Sequence, residues 1–153
     1  MSFEALYAQK RLSAHDAVRV VKNGDAIVVP TGVAEPPMLL KALSDQRREF
    51  EGVTVGQILP IQKYDYFDPE TSRNVRHLAY FVGGPSRAGA QAGWIDYVPA
   101  YFSELPALIE QGLVKSDVVF SMASPMDKHG WFSLSLGPDY TMAAIKKARA
   151  VVL

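Results

Sequence analysis

The densest group of chemically capable side chains is the run Ser121-Met122-Ala123-Ser124-Pro125-Met126-Asp127-Lys128-His129-Gly130-Trp131-Phe132. Hydroxyl, carboxylate, ammonium and imidazole groups share one short loop. His129 could donate to an acyl or phosphate oxygen, and the His129-Gly130 pair permits a tight turn. A lone histidine in a turn is more often structural. A second run, Pro30-Thr31-Gly32-Val33-Ala34-Glu35-Pro36-Pro37, precedes an expected helix start. Unpaired N–H groups and the dipole there favour an anion or a developing oxyanion, and Gly32 admits a ligand close to the backbone. A plain strand-to-helix connection, with Glu35 as a first-turn acid, explains the same residues more simply. A third run, Tyr101-Phe102-Ser103-Glu104-Leu105-Pro106, could line a pocket. Equally, Ser103 is a helix N-cap and Glu104 an acid in the first turn.

Other chemistries lack their residues. There is no cysteine, which removes disulfides, thiol catalysis and thiolate metal sites. His15, His77 and His129 are far apart in sequence and lack paired ligand spacing, so no zinc site is expected. Neither a dinucleotide fingerprint, a phosphate-binding P-loop nor a G-x-S-x-G elbow occurs. Formal net charge is zero over 153 residues, so no basic field attracts nucleic acid or anionic lipid. The apolar runs are far short of the roughly 20 residues of a membrane helix, and Met1 to Ala5 does not open a secretory signal. The expectation is a cytoplasmic protein with no membrane or nucleic-acid partner.

The three loops must be placed by the elements around them. Ser13 reads as an N-cap, followed by Ala17, Val18, Val20 and Val21 at helical spacing and by Gly24 as a terminator. Asp25 to Val29 is a continuous apolar run, typical of a strand buried on both faces. Pro36 and Pro37 suit the first turn of a helix carrying Met38, Leu39, Leu40, Ala42 and Leu43. Strands are expected over 53–59, 75–82, 95–98, 117–122 and 150–153, with helices over 86–92, 106–111 and 141–149. Residues 64–72 read as a polar, aromatic turn region, and 129–136 as a hairpin partner or edge strand. Strands alternating with helices point to one α/β domain with a mostly parallel sheet flanked by helices. Ligands in such sheets bind beyond the carboxyl ends of the strands.

The chain stops inside an apolar, strand-like segment, Ala150-Val151-Val152-Leu153. Domains ordinarily end on a surface segment. Residues 1–153 are therefore expected to form an amino-terminal domain, truncated from a longer enzyme. A legitimate last strand is the other reading.

In order, Gly32-x-x-Glu35-Pro36, Phe81-Val82-Gly83-Gly84, Asp96-Tyr97-Val98-Pro99, Phe102-Ser103-Glu104-Leu105-Pro106, Ser124-Pro125-x-Asp127-x-His129-Gly130 and Asp139-Tyr140-Thr141 resemble the amino-terminal domain of the acetyl-CoA hydrolase/transferase family. The 4-hydroxybutyrate CoA-transferase group is the nearest within it. Each motif is weak alone; the six in order are fairly specific. The resemblance implies a Rossmann-like α/β fold of the CoA-transferase type. It implies a ping-pong reaction through a glutamyl-CoA thioester, with coenzyme A thioester as substrate rather than a bound cofactor. The nucleophilic glutamate of that family lies in the carboxyl-terminal half, so no residue here inherits the catalytic role. Gly32, Glu35, Pro36, Ser103, Glu104, Ser124, Pro125, His129 and Gly130 are expected to line the acyl site. The expected partners are an acyl-CoA, a short carboxylic acid, the missing carboxyl-terminal domain and, in the complete enzyme, further copies of itself. An acyl-CoA hydrolase half, or a non-catalytic module of the same fold, stand as alternatives. Lys128 and Trp131 replace the acid and tyrosine of the usual Ser-Pro-Pro-Asp-Glu-His-Gly-Tyr pattern, which bears on the identity of the acid.

Overall fold

The computed structural model describes residues 2–134 and 136–153. Six strands, β1 (Ala26–Val28), β2 (Val53–Ile58), β3 (Val75–Phe81), β4 (Asp96–Tyr97), β5 (Val118–Phe120) and β6 (Ala150–Val152), form one sheet in the order β4-β3-β2-β1-β5-β6. Every pairing is parallel. The short apolar runs become the central strands because a parallel sheet is covered on both faces. Ile27, Val28, Val118 and Val119 are accordingly almost wholly buried. The expected α/β architecture is observed.

The described residues form six helices, of which the first stands apart from the sheet: α1 (Phe3–Lys10), α2 (Ala14–Ala17), α3 (Pro37–Asp45), α4 (Gly84–Ala92), α5 (Leu105–Glu110) and α6 (Thr141–Lys147). Ser13 caps α2 by accepting the N–H of Asp16 at 3.1 Å, as its residue type predicts. Pro37 sits in the first turn of α3, whose Leu39, Leu40 and Leu43 bury against the sheet. On that face they meet Val55, Val75 and Phe120. On the other face α5 and α6 bury Leu105, Ile109 and Ala144 against Val28, Ile58 and Val119.

The structure departs from the sequence expectations in several places, and the helix expected between Ser13 and Gly24 is only α2 followed by a 3₁₀ turn (Val18–Val20). Helix α1 buries no residue, so no apolar stripe marks it in the sequence. Residues 64–72 form two 3₁₀ turns that bury Tyr66 and Phe67. Those rings pack on His77 of β3, with centroids 6.4 and 4.4 Å away. Finally, residues 129–136, expected as a hairpin partner or edge strand, join a hairpin but form no sheet strand among the described residues; Ser135 lies outside them. Ser124 and Asp127 instead donate to the carbonyls of Ser133 and Trp131, at 2.8 and 2.9 Å, in an irregular hairpin. Its alternating apolar residues face solvent or α1 rather than a sheet, since Tyr7 meets Phe132 with centroids 5.9 Å apart.

Candidate functional site

Because all strands are parallel, the segments after β1, β2, β3 and β5 emerge at one end of the sheet. Gly32 lies there, buried, in a short 3₁₀ turn (Gly32–Ala34). A Cβ at this position would stand 2.7 Å from the Leu59 carbonyl oxygen and 2.9 Å from Ile61 Cγ1. Glycine is required because the segment after β2 closes directly on it. That segment is itself unusual. Leu59 has φ 51°, the one non-glycine positive φ among the described residues. The left-handed region costs such a residue about 1–2 kcal/mol, and a residue before proline is ordinarily extended. Strain of this kind persists only where the surroundings enforce it.

Glu35 anchors this segment at the Ile61 N–H. It is 5 % exposed, and both carboxylate oxygens are engaged. Oε2 accepts from Gln57 Nε2 at 2.8 Å and from the Ile61 N–H at 3.1 Å; Oε1 accepts from the Tyr64 hydroxyl at 2.8 Å. No cation pairs with it among the described residues. A buried carboxylate can be held in this way by donors alone. Gln57 also donates to the Pro30 carbonyl at 3.2 Å, tying the ends of β1 and β2. Burial first, and then the adjacent Glu35 carboxylate, push the Tyr64 hydroxyl well above its ordinary pKa. It therefore stays protonated and keeps donating. Glu35 is thus neither an exposed first-turn acid nor accessible to a substrate carbonyl. It is an anchor.

Two further groups, the buried Tyr140 and the half-buried Asp139, stiffen the frame. The Tyr140 hydroxyl donates to the Val29 carbonyl at 2.6 Å and accepts the Ile58 N–H at 3.2 Å. Burial raises its pKa far above the usual phenol value. Asp139 accepts the Thr31 N–H at 2.9 Å through Oδ2, while Oδ1 accepts the N–H and hydroxyl of Thr141 at 2.9 and 2.6 Å. Gly137 packs on the Ala34 side chain, and the Met122 N–H reaches the Ala34 carbonyl at 3.4 Å. The loops after β1 and β5 are thereby joined, although sequence separates them widely.

The other expected site residues are placed less centrally. Pro36 is buried and precedes α3. Glu104, rather than Ser103, holds the N-cap position of α5 without a capping hydrogen bond, and its Oε2 accepts the Tyr101 N–H at 3.0 Å. Both residues are exposed, and their neighbour Phe102 reaches the frame through an edge contact with Tyr140, centroids 6.0 Å apart. Ser124 and Pro125 lie on the base of the irregular hairpin; the Ser133 N–H donates to Ser124 Oγ at 2.9 Å. At the tip, Asp127 Oδ1 accepts the N–H groups of His129 and Trp131 at 2.8 and 2.9 Å. The His129 side chain is exposed, and Gly130, with φ 83°, lies under the Phe3 ring. Gly32, Glu35 and Pro36 thus form one centre, while His129 and Gly130 stand out from it on the hairpin.

Sequence reasoning missed Gln57, Leu59, Tyr64 and the buried role of Tyr140. A glutamine inside an otherwise apolar strand was the available signal, since a buried amide must find partners. Among the described residues no three His, Cys, Asp or Glu side chains gather as metal ligands. No helix there is long and apolar enough to cross a membrane. Around the buried Gly32 the centre offers an apolar surface of Val33, Leu59 and Ile61, all exposed.

Comparison with known proteins matches the Acetyl-CoA hydrolase/transferase N-terminal domain to residues 1–153. A succinyl-CoA:cyclohexane-1-carboxylate CoA transferase of Geobacter metallireducens is 41 % identical over 155 residues, covering 99 % of this chain and 34 % of the relative. A 4-hydroxybutyrate coenzyme A transferase of Clostridium kluyveri is 32 % identical over 152 residues, covering 99 % and 35 %. Among solved structures, RipA from Yersinia pestis superposes with a TM-score of 0.87 at 29 % identity, over 99 % of this chain and 37 % of that one. The chain spans about a third of the length of the curated relatives it matches.

Proposed function

This chain belongs to the acetyl-CoA hydrolase/transferase family, as its N-terminal domain, and from that premise we propose that it forms one wall of the acyl site of a CoA-transferase. The enzyme moves CoA from an acyl-CoA, such as acetyl-CoA, to a short-chain carboxylic acid. The nucleophile is a glutamate outside these residues, on a carboxyl-terminal domain. Its carboxylate attacks the thioester carbonyl and expels CoA thiolate, leaving an acyl-glutamyl anhydride. The thiolate attacks the glutamyl carbonyl, releases the first carboxylate and leaves a glutamyl-CoA thioester. The acceptor carboxylate then repeats the sequence in reverse and leaves as the new acyl-CoA. The complete protein works in the cytoplasm as a homo-oligomer.

One observation carries this reading. The frame of Glu35, Gln57, Tyr64 and Tyr140 holds the exposed Val33, Leu59 and Ile61 around the buried Gly32 at the carboxyl ends of the strands, the end where α/β sheets bind ligands. The frame holds no free carboxylate, which fits a half that shapes the acyl site and leaves attack to its partner.

The test is CoA transfer from acetyl-CoA to butyrate. The 153-residue chain alone should form no butyryl-CoA. The chain extended by the two thirds found in its relatives should form it. Turnover by the short chain, or none by the extended one, defeats the proposal. Release of free CoA without butyryl-CoA means that water is the acceptor and the enzyme is a hydrolase.

A further inference from the structure

The left-handed Leu59 has no explanation in the packing of the core. Its side chain is 44 % exposed and that of Ile61 is 66 % exposed, so neither is drawn inward by apolar burial. The backbone is instead held from beneath. The Ile61 N–H donates to Glu35 Oε2, and Tyr64, three residues on, donates to Oε1. The β2–β3 register shifts between Gln57 and Ile58, just where the strand gives way to this segment. The Leu59 carbonyl and the Ile61 side chain are pressed on Gly32, and a Leu59 methyl would lie 3.6 Å from a Cβ at Gly83. Two exposed apolar side chains therefore stand on a segment that covers Gly32 and is held by one buried carboxylate.

We propose that Glu35 is a positioning residue, whose hold on Ile61 and Tyr64 sets Leu59 and Ile61 as an apolar lip over Gly32 that selects carboxylic acids with apolar chains. The functional half of this rests on the acyl-site reading above. The lip carries no charge or hydroxyl of its own, so it rewards methylene groups on the acid and gives nothing to a polar tail. Glu35 touches no substrate in this scheme; it acts through the backbone it holds.

The structural half is tested on the 153-residue chain by amide hydrogen exchange and methyl NMR. In E35A, and more weakly in E35Q, whose amide oxygen still accepts, the Ile61 amide should exchange at least about tenfold faster. The Leu59 and Ile61 methyl resonances should move, while the Val55 and Val119 amides of the central strands keep their protection. If E35A does not fold, E35Q and Tyr64→Phe carry the same measurement. Unchanged Ile61 exchange and methyl positions in a folded variant overturn the proposal. In the extended chain, E35Q should raise KM for butyrate at least about fivefold with kcat held within about twofold. It should also flatten the preference for butyrate over acetate. An equal fall in kcat for both acids, with KM unchanged, overturns the selective role. If the unaltered extended chain transfers no CoA, the transferase reading fails, and Ile61 exchange alone decides the role of Glu35.

Discussion

His77 makes the fold acid-sensitive by an amount that can be worked out. It lies on β3 with no exposed surface, packed against Tyr66 and Phe67. Neither ring nitrogen has a hydrogen-bond partner. Burial therefore pushes its pKa down, to about 3. The unfolded chain binds a proton on His77 below about pH 6.5, whereas the folded chain resists it until about pH 3. Between those values the unfolded state holds more protons, so stability falls as pH falls. The loss is about 1.4 kcal/mol per pH unit and about 5 kcal/mol across the window. A domain of this size is stable by about 5–15 kcal/mol, so this one group spends a large share of the margin. His77→Leu keeps similar volume and removes both orphaned nitrogens. It should be at least as stable as the native chain at pH 7 and lose stability more slowly on acidification. Urea unfolding followed by circular dichroism at pH 7, 6, 5 and 4 measures both slopes. Carboxylates such as Asp96, held low by Arg76, titrate in both proteins and cancel in the difference. Parallel slopes for the two proteins between pH 6.5 and 4 would refute the reasoning.

Two other perturbations follow from the frame and the hairpin. Tyr140→Phe removes the hydroxyl joining Val29 and Ile58 and should cost about 1–3 kcal/mol, seen as a lower thermal midpoint; a loss under about 0.5 kcal/mol would show the bridge to be dispensable. Phe3→Ala uncovers Gly130 and should speed amide exchange at Gly130 and Trp131. Because α1 buries nothing, global stability should change by less than about 0.5 kcal/mol. Exchange that stays slow in the hairpin would mean that α1 does not brace it.

Much of the architecture was legible in the residues. Apolar runs such as Ile27-Val28-Val29 and Val118-Val119-Phe120 alternate with helical patterns, and that alternation alone dictates a parallel sheet with helices on both faces. Ser13, Pro37 and Gly93 mark helix ends through local chemistry, which sequence shows directly. The ordered loop motifs pointed to the family, and the comparison bears that out. The centre of the candidate site was not legible. Gln57, Tyr64 and Glu35 come from three segments, and their meeting depends on strand register and on which face each side chain takes. A strand buried on both faces has no polar–apolar alternation to reveal its register. The alternation over 129–136 marks a hairpin partner, and the Ser124–Ser133 and Asp127–Trp131 backbone bonds bear that out, although no edge of the sheet pairs with it among the described residues. Local chemistry therefore determined the elements and their order. Only the packed sheet decided that Glu35, read from its position as a first-turn acid and from the resemblance as a lining of the acyl site, would be buried beneath Ile61, because its three donors assemble only when β1 and β2 lie side by side.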